Sequence, residues 1–212
     1  MIRLAALGAA LLAGAAVGHA TSGAEPAGVA VVAVGDGPAL AATGFVAAPR
    51  RVVTVAHAVE GRDAVMVRGA DGVARRAVVV RRAPELDLAV LAVAGARGTA
   101  AYDGRVRLHR GPPAPPWGAG LLVRRDAGAD AGAGRLPAVV TRRLDARIRS
   151  ADGHVIARRP VLELRAAARA GDSGAPLVGA DGAVTGVVFA RSQERAGVAY
   201  AVDAAALAGL LR

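Results

Sequence analysis

Short runs of Val, Ala and Leu recur between Gly, Pro and Asp-Gly signals, and this punctuation constrains the chain more than any other feature. Gly28 to Val34, Ala41 to Ala47, Val52 to Ala56, Ala64 to Arg68, Val73 to Arg81 and Leu88 to Val93 are too short and too interrupted for helices, so they predict strands. A looser segment, residues 95–101, breaks the series. Strand-like runs resume at Tyr102 to Leu108, Gly120 to Arg124, Leu136 to Thr141, Val155 to Ala157, Val161 to Arg165, Ala175 to Val178, Val184 to Ala190 and Val198 to Val202. Two β halves joined by a linker is the simplest reading. Asp203 caps a terminal helix over Ala204 to Leu211, whose Ala204, Leu207, Leu210 and Leu211 share one face and are expected to pack on the second half. Gly111 to Pro116 reads as a stiff connector and Asp126 to Gly134 as a surface loop without the ligands of a calcium site.

Of 212 residues, 54% are hydrophobic and 2% aromatic, which supplies an aliphatic core. The absence of cysteine excludes a disulfide scaffold, a thiolate metal site, a cysteine nucleophile and a lipidated N-terminal cysteine. The net charge of +10 is carried entirely by Arg, and the chain lacks both Lys and Asn, a signature of GC-rich coding. The charge is therefore weak evidence for a polyanion. The pairs Arg50-Arg51, Arg75-Arg76, Arg81-Arg82, Arg124-Arg125, Arg142-Arg143 and Arg158-Arg159 are scattered without interleaved aromatics, so they read as solvated surface with no specific nucleic-acid partner.

At the N-terminus, Arg3 precedes an uncharged apolar run from Leu4 to Val17 and the small-residue stretch Gly18-His19-Ala20. This is the pattern of a secretory signal peptide over 1–20, cleaved after Ala20 to leave a secreted protein beginning at Thr21. The run is shorter than the roughly 20 residues a spanning helix needs, so membrane attachment requires that the segment stay uncleaved.

Three segments carry reactive groups among small or turn-forming residues. His57 ends Val52-Val53-Thr54-Val55-Ala56-His57, Asp87 opens Asp87-Leu88-Ala89-Val90-Leu91, and Ser173 lies in Gly171-Asp172-Ser173-Gly174-Ala175-Pro176. A serine hydroxyl needs a base within hydrogen-bond reach, and imidazole has a suitable pKa. A carboxylate then fixes the imidazole tautomer and stabilises the imidazolium, which suits Asp87. The N–H groups of Gly171 and Ser173 are candidate oxyanion donors on the glycine turn. Rivals have poorer settings: His19 is in the leader, His109 lies beside the prolines, His154 follows an Asp-Gly turn, Asp63 sits in a loop six residues after His57, and Ser22, Ser150 and Ser192 lack glycine turns.

Together these blocks, in the order His, Asp, Ser and separated by 30 and 86 residues, resemble the motif blocks of the chymotrypsin-like serine proteases, most closely the bacterial secreted members. Thr43-Gly44-Phe45-Val46 and Gly182-Ala183-Val184-Thr185-Gly186-Val187-Val188-Phe189 extend the likeness, which runs from about Gly28 to Arg212. The resemblance implies an all-β fold of two six-stranded antiparallel barrels with a short C-terminal helix. It gives residues 21–27 as an N-terminal extension, 28–94 as a first barrel carrying His57 and Asp87, 95–101 as a linker, and 102–212 as a second barrel carrying Ser173. It further implies a monomeric serine endopeptidase acting on protein or peptide substrates without cofactor or metal.

Departures from the family pattern shape the finer expectations. Ala175 stands where the family commonly has a second glycine, one methyl group that the turn is expected to tolerate. The usual zymogen-activation sequence is absent, so removal of the leader is expected to be the only cleavage required. At the base of the primary pocket the resemblance places Ala167, which disfavours cleavage after Arg or Lys, and Glu163 and Asp172 are expected to lie elsewhere. Phe189, Ala190 and Arg191 are expected to line that pocket, with Phe189 and Arg191 narrowing it or Arg191 pairing with an acidic side chain, and cleavage after small or medium apolar residues is expected. A trypsin-fold binding module without turnover is the alternative.

Overall fold

Why two closed barrels form is visible in which strands alternate and which do not. The computed structural model describes residues 29–36, 40–95, 102–109, 117–125, 132–149 and 155–212. In the first half, β1 (Val31–Gly35), β2 (Leu40–Ala48), β3 (Arg51–Val55), β4 (Ala64–Arg68), β5 (Ala74–Ala83) and β6 (Leu88–Val93) close in the order β1-β2-β3-β6-β5-β4. The strand β4 alternates strictly, with Val65 and Val67 buried, so one face meets the interior and the other leans to solvent. By contrast β6, and β3 beyond exposed Arg51, bury both of their faces. These two antiparallel strands pair with each other from Arg51↔Ala92 to Val55↔Leu88, which brings the end of the histidine strand beside the start of the aspartate strand.

The second half repeats the plan with β7 (Trp117–Arg125), β8 (Gly132–Arg149), β9 (Val155–Ala166), β10 (Pro176–Gly179), β11 (Val184–Arg191) and β12 (Val198–Asp203), closed as β10-β11-β12-β9-β8-β7. Closure leaves the paired strands no free edge for misassociation. Inside it Leu162, Leu164, Leu177, Val188, Ala199 and Ala201 form the core. A larger cluster joins the first barrel's interior to Val161, Val187, Phe189, Tyr200 and Val202 of the second, so the two halves share one continuous apolar layer.

Several expectations from sequence are corrected. Tyr102 to Leu108 is not a barrel strand: it crosses between the halves as an irregular connector, with Val106 N–H donating to Ala47 O and Val184 N–H donating to Arg107 O. Six strands already close each ring, so a seventh has no place in the ladder. Residues 132–134, read as loop, belong to β8. The separate runs Val155 to Ala157 and Val161 to Arg165 are one strand despite Pro160. Pairing with β12 stops at Val161, so Pro160 occupies a stretch of β9 bonded on one side only, where a missing N–H is tolerated.

The terminal segment is helical as expected, a 3-10 turn over Ala204–Ala206 running into α1 (Leu207–Leu210), with Asp203 Oδ1 accepting the Ala205 N–H at 3.0 Å. Its packing differs: Arg81 of β5 donates to Gly209 O and Leu210 O, so the helix also clasps the first barrel. Nor are the arginine pairs uniformly solvated. Arg159 is 5% exposed, Arg143 pairs with buried Asp203 at 2.7 Å, and Arg75 lies over the Tyr102 ring while pairing with Asp71. The segments expected as a leader over 1–20, an N-terminal extension over 21–27 and a connector over 111–116, with His19, Ser22, Ser150 and His154, lie outside the described residues. Among the described residues no helix is long and apolar enough to cross a membrane.

Candidate active site

The chain leaves β3 at Val55, turns through Ala56, and starts a single 3-10 turn at His57, which lifts the imidazole from the barrel end. Opposite it, the turn Pro84 to Asp87 closes through Leu86 N–H to Ala83 O and Asp87 N–H to Pro84 O. Asp87 takes φ +56, a left-handed conformation in which Asp is among the better tolerated non-glycine residues. Three further hydrogen bonds hold it there. Ala56 N–H donates to Asp87 O at 3.0 Å, His57 N–H to Oδ1 at 3.0 Å, and the imidazole Nδ1–H to Oδ2 at 2.8 Å. An ionised carboxylate only accepts, so Nδ1 carries the proton and Nε2 keeps its lone pair. Both side chains are 17% exposed, dry enough for the pair to be strong and open enough for a substrate to reach it.

Ser173 lies on the other barrel, in a turn flanked by Gly171 at φ +89 and Gly174 at φ +88. Its backbone is stapled to the first barrel: Thr43 N–H donates to Ser173 O at 2.8 Å and Thr43 Oγ1 to Gly171 O at 2.9 Å. Thr54 Oγ1 in turn donates to Thr43 O at 2.8 Å. Because Thr54 sits three residues before His57 on β3, this chain of bonds registers the histidine segment against the serine turn. Ser173 itself is 3% exposed, and its Oγ makes no hydrogen bond to His57 or to any other described residue. A buried hydroxyl without a partner is uncommon and calls for a functional account.

Around the turn, Asp172 N–H donates to Arg169 O, Gly174 N–H to Val188 O and Ala175 N–H to Asp172 O, while no described residue accepts the N–H of Gly171 or Ser173. Asp172 is 1% exposed and its Oδ2 accepts the Arg169 N–H at 2.7 Å, a bond that closes the turn from within. No group of three or more His, Asp or Glu suited to a metal occurs among the described residues.

The family model for the trypsin-like peptidase domain matches residues 42–187, more than half of the chain and all three reactive segments. The chain belongs to the trypsin-like peptidase family. Among its relatives is the serine protease Rv3671c of Mycobacterium tuberculosis, 33% identical over 183 residues, a match covering 81% of this chain and 41% of the relative. This trypsin-like chain thus spans about two fifths of the length of the curated relatives it matches. Crystal structures of the Rv3671c protease superpose with TM-scores of 0.71 in an active form and 0.69 in an inactive form, at 27% and 29% identity. The first match covers 87% of this chain and 79% of that one, the second 85% and 86%. The MamO protease domain of Magnetospirillum magneticum, at 22% identity and TM-score 0.68, covering 86% of this chain and 95% of that one, shares the fold.

In this trypsin-like peptidase Ala167 is exposed on the segment after β9, and Arg191 is exposed at the end of β11. Phe189 is 4% exposed with its ring beneath the Arg159 guanidinium, and Ala190 is buried opposite Tyr200. The row Ala190, Tyr200, Glu163 and Arg142 crosses three strand pairs. Glu163 is 5% exposed and is held by Arg142 at 2.8 Å, Arg195 at 2.6 Å and Thr141 Oγ1 at 3.1 Å. Arg195 also donates to Tyr200 Oη at 2.8 Å. This carboxylate is committed to its own cluster.

The Arg142 bond, reinforced by Arg195 and Thr141 against the opposing cost of burial, draws the Glu163 pKa from 4.5 down to about 2. A depressed carboxylate pKa contributes stability that is complete above the ordinary value and disappears as pH falls through the folded one. Wild type is therefore expected to exceed Glu163→Gln by roughly 2 kcal/mol above pH 5, after discounting for the half-exposed guanidiniums. Denaturant titrations should show that difference shrinking below pH 4.5 and vanishing near pH 2.

Thr43 and Thr54 are residues whose part the sequence reading missed. Both are fully buried, and the available signal was a lone hydroxyl within the apolar run of each of two strands. Arg159 was missed for a different reason: nothing distinguishes it in sequence from the other paired arginines.

Proposed function

We propose that the protein is a secreted serine endopeptidase in which His57, Asp87 and Ser173 form the triad. The observation that carries this reading is the Asp87 carboxylate gripping both the backbone N–H and Nδ1–H of His57, with the serine turn tied to the same strand through Thr43 and Thr54. His57 Nε2 takes the Ser173 proton as Oγ attacks the peptide carbonyl, and the developing oxyanion is met by the N–H groups of Gly171 and Ser173. The imidazolium then gives that proton to the departing amine. Water, deprotonated by the same Nε2, cleaves the acyl-enzyme and restores Ser173.

Ala167 offers no charge to a basic side chain, and Glu163 is sequestered, which supports cleavage after small or medium apolar residues. A cleavage profile dominated by Arg or Lys would overturn that preference. The Asp172 bond to Arg169 N–H supports a serine turn competent without a second proteolytic cut. An intact-mass time course in which activity waits for a cut after leader removal would refute it.

The deciding experiment is reaction of the protein with a fluorophosphonate, followed by peptide mapping of the adduct. A single adduct on Ser173 is the expected result. A folded protein that takes no adduct would instead be a trypsin-fold binding module.

A further inference from the structure

A buried guanidinium stands directly behind the acid turn. Arg159 projects from β9 of the second barrel and is 5% exposed. Among the described residues no carboxylate forms an ion pair with it. Instead Nε donates to Glu85 O at 3.0 Å, Nη2 donates to Pro84 O at 3.3 Å, and the Phe189 ring lies 4.7 Å below Cζ. Removing a guanidinium from water costs several kcal/mol, and two carbonyls with one aromatic face are modest recompense in stability alone. Its pKa is lowered by burial, with the negative charges of Asp87 and Glu85 acting in the opposite sense.

What those contacts hold is specific. Pro84 O is also the acceptor that closes the turn onto Asp87 N–H at 3.1 Å, so Arg159 and Asp87 share one carbonyl. That turn keeps Asp87 in the left-handed region and directs its carboxylate at His57. Phe189 belongs to β11, whose neighbouring Val188 bonds both Gly174 N–H and Ala175 O beside the nucleophile. The second barrel thus holds the serine turn through Val188 and reaches the acid turn through Arg159, which rests on the ring of the next residue, Phe189.

Resting on the protease reading above, we infer that Arg159 is a positioning residue: it braces the Pro84–Asp87 turn from the second barrel and keeps the Asp87 carboxylate aligned on His57. Thr43 and Thr54 register the serine to the histidine, and Arg159 registers the acid to both.

The test compares Arg159→Met, which keeps length and bulk while removing donors and charge, with Arg159→Lys, which keeps a cation able to reach a carbonyl. Second-order fluorophosphonate labelling, the proton NMR signal of His57 Nδ1–H and the melting temperature are read on each. Arg159→Met is expected to label about 30- to 100-fold more slowly, with the Nδ1–H signal moved or broadened by exchange and the melting temperature within a few degrees of wild type. Arg159→Lys should recover at least a third of the lost rate on a logarithmic scale. Labelling within twofold of wild type and an unmoved Nδ1–H signal in Arg159→Met would overturn the inference. So would an equal loss in both variants tracking a fall in melting temperature, which marks a purely structural brace. Should Arg159→Met not fold, Arg159→Gln, which removes the charge and keeps one donor group, is read in its place by the same criteria. A wild type that takes no label fails the protease reading, while the Nδ1–H comparison still judges the positioning role.

Discussion

Asp87→Asn is expected to lower kcat for peptide hydrolysis by roughly 10⁴-fold while leaving both barrels folded. The amide oxygen can still accept the His57 backbone N–H now bonded to Oδ1, so the turn keeps its anchor. At the Oδ2 position, however, an NH₂ group would face Nδ1, which must then become the acceptor. The ring proton moves to Nε2, and the base meets Ser173 with a hydrogen where it needs a lone pair. The imidazolium of the transition state also loses its counter-charge. Ser173→Ala sets the floor, near 10⁶-fold, because no acyl-enzyme forms at all. Single-turnover hydrolysis of a fluorogenic peptide pool, with far-UV circular dichroism on each variant, measures both. An Asp87→Asn enzyme within tenfold of wild type would remove Asp87 from the mechanism.

Much of this site was legible in the chain because its chemistry is local. The glycines around Asp172-Ser173 announce a tight turn, and both adopt the left-handed φ that only glycine takes cheaply. Strands β4 and β6 were bounded correctly from runs ending at Arg68 and Val93, where the apolar pattern stops sharply. Legibility ended where meaning depends on a distant partner. Tyr102 to Leu108 has the alternation of a strand, but barrel closure elsewhere left it no place in either ladder. Arg-Arg-Pro looked like a break in β9 because its tolerance comes from the end of β12, more than forty residues downstream. Arg159 is read as surface by every local rule, and it is buried between the Phe189 ring and the Pro84 turn that approaches from the other barrel.

Gly174→Ala is expected to be the most destabilising glycine-to-alanine change among the described residues, of the order of 4 kcal/mol, or roughly 8–16 °C in melting temperature for a chain of this size. Two independent penalties meet there. At φ +88 any Cβ strains its own backbone, which by itself costs about 1 to 2 kcal/mol. Beyond that, the new Cβ would lie 1.9 Å from Thr43 O and 2.8 Å from Thr54 Oγ1, neither of which is the free end of a flexible side chain. Thr43 O already accepts from Thr54, and the Thr43 amide and hydroxyl already hold Ser173 O and Gly171 O. Relief therefore requires the serine turn to back away from the first barrel, which breaks the staple between the Ser173 turn and the His57 strand. Gly171→Ala provides the control: φ +89 imposes the same backbone strain, yet its Cβ would meet nothing within 4 Å. It should lose only the backbone penalty. Equal melting temperatures for the two alanine variants would mean that the barrels are not locked at Thr43, and the gap between them measures how tightly they are.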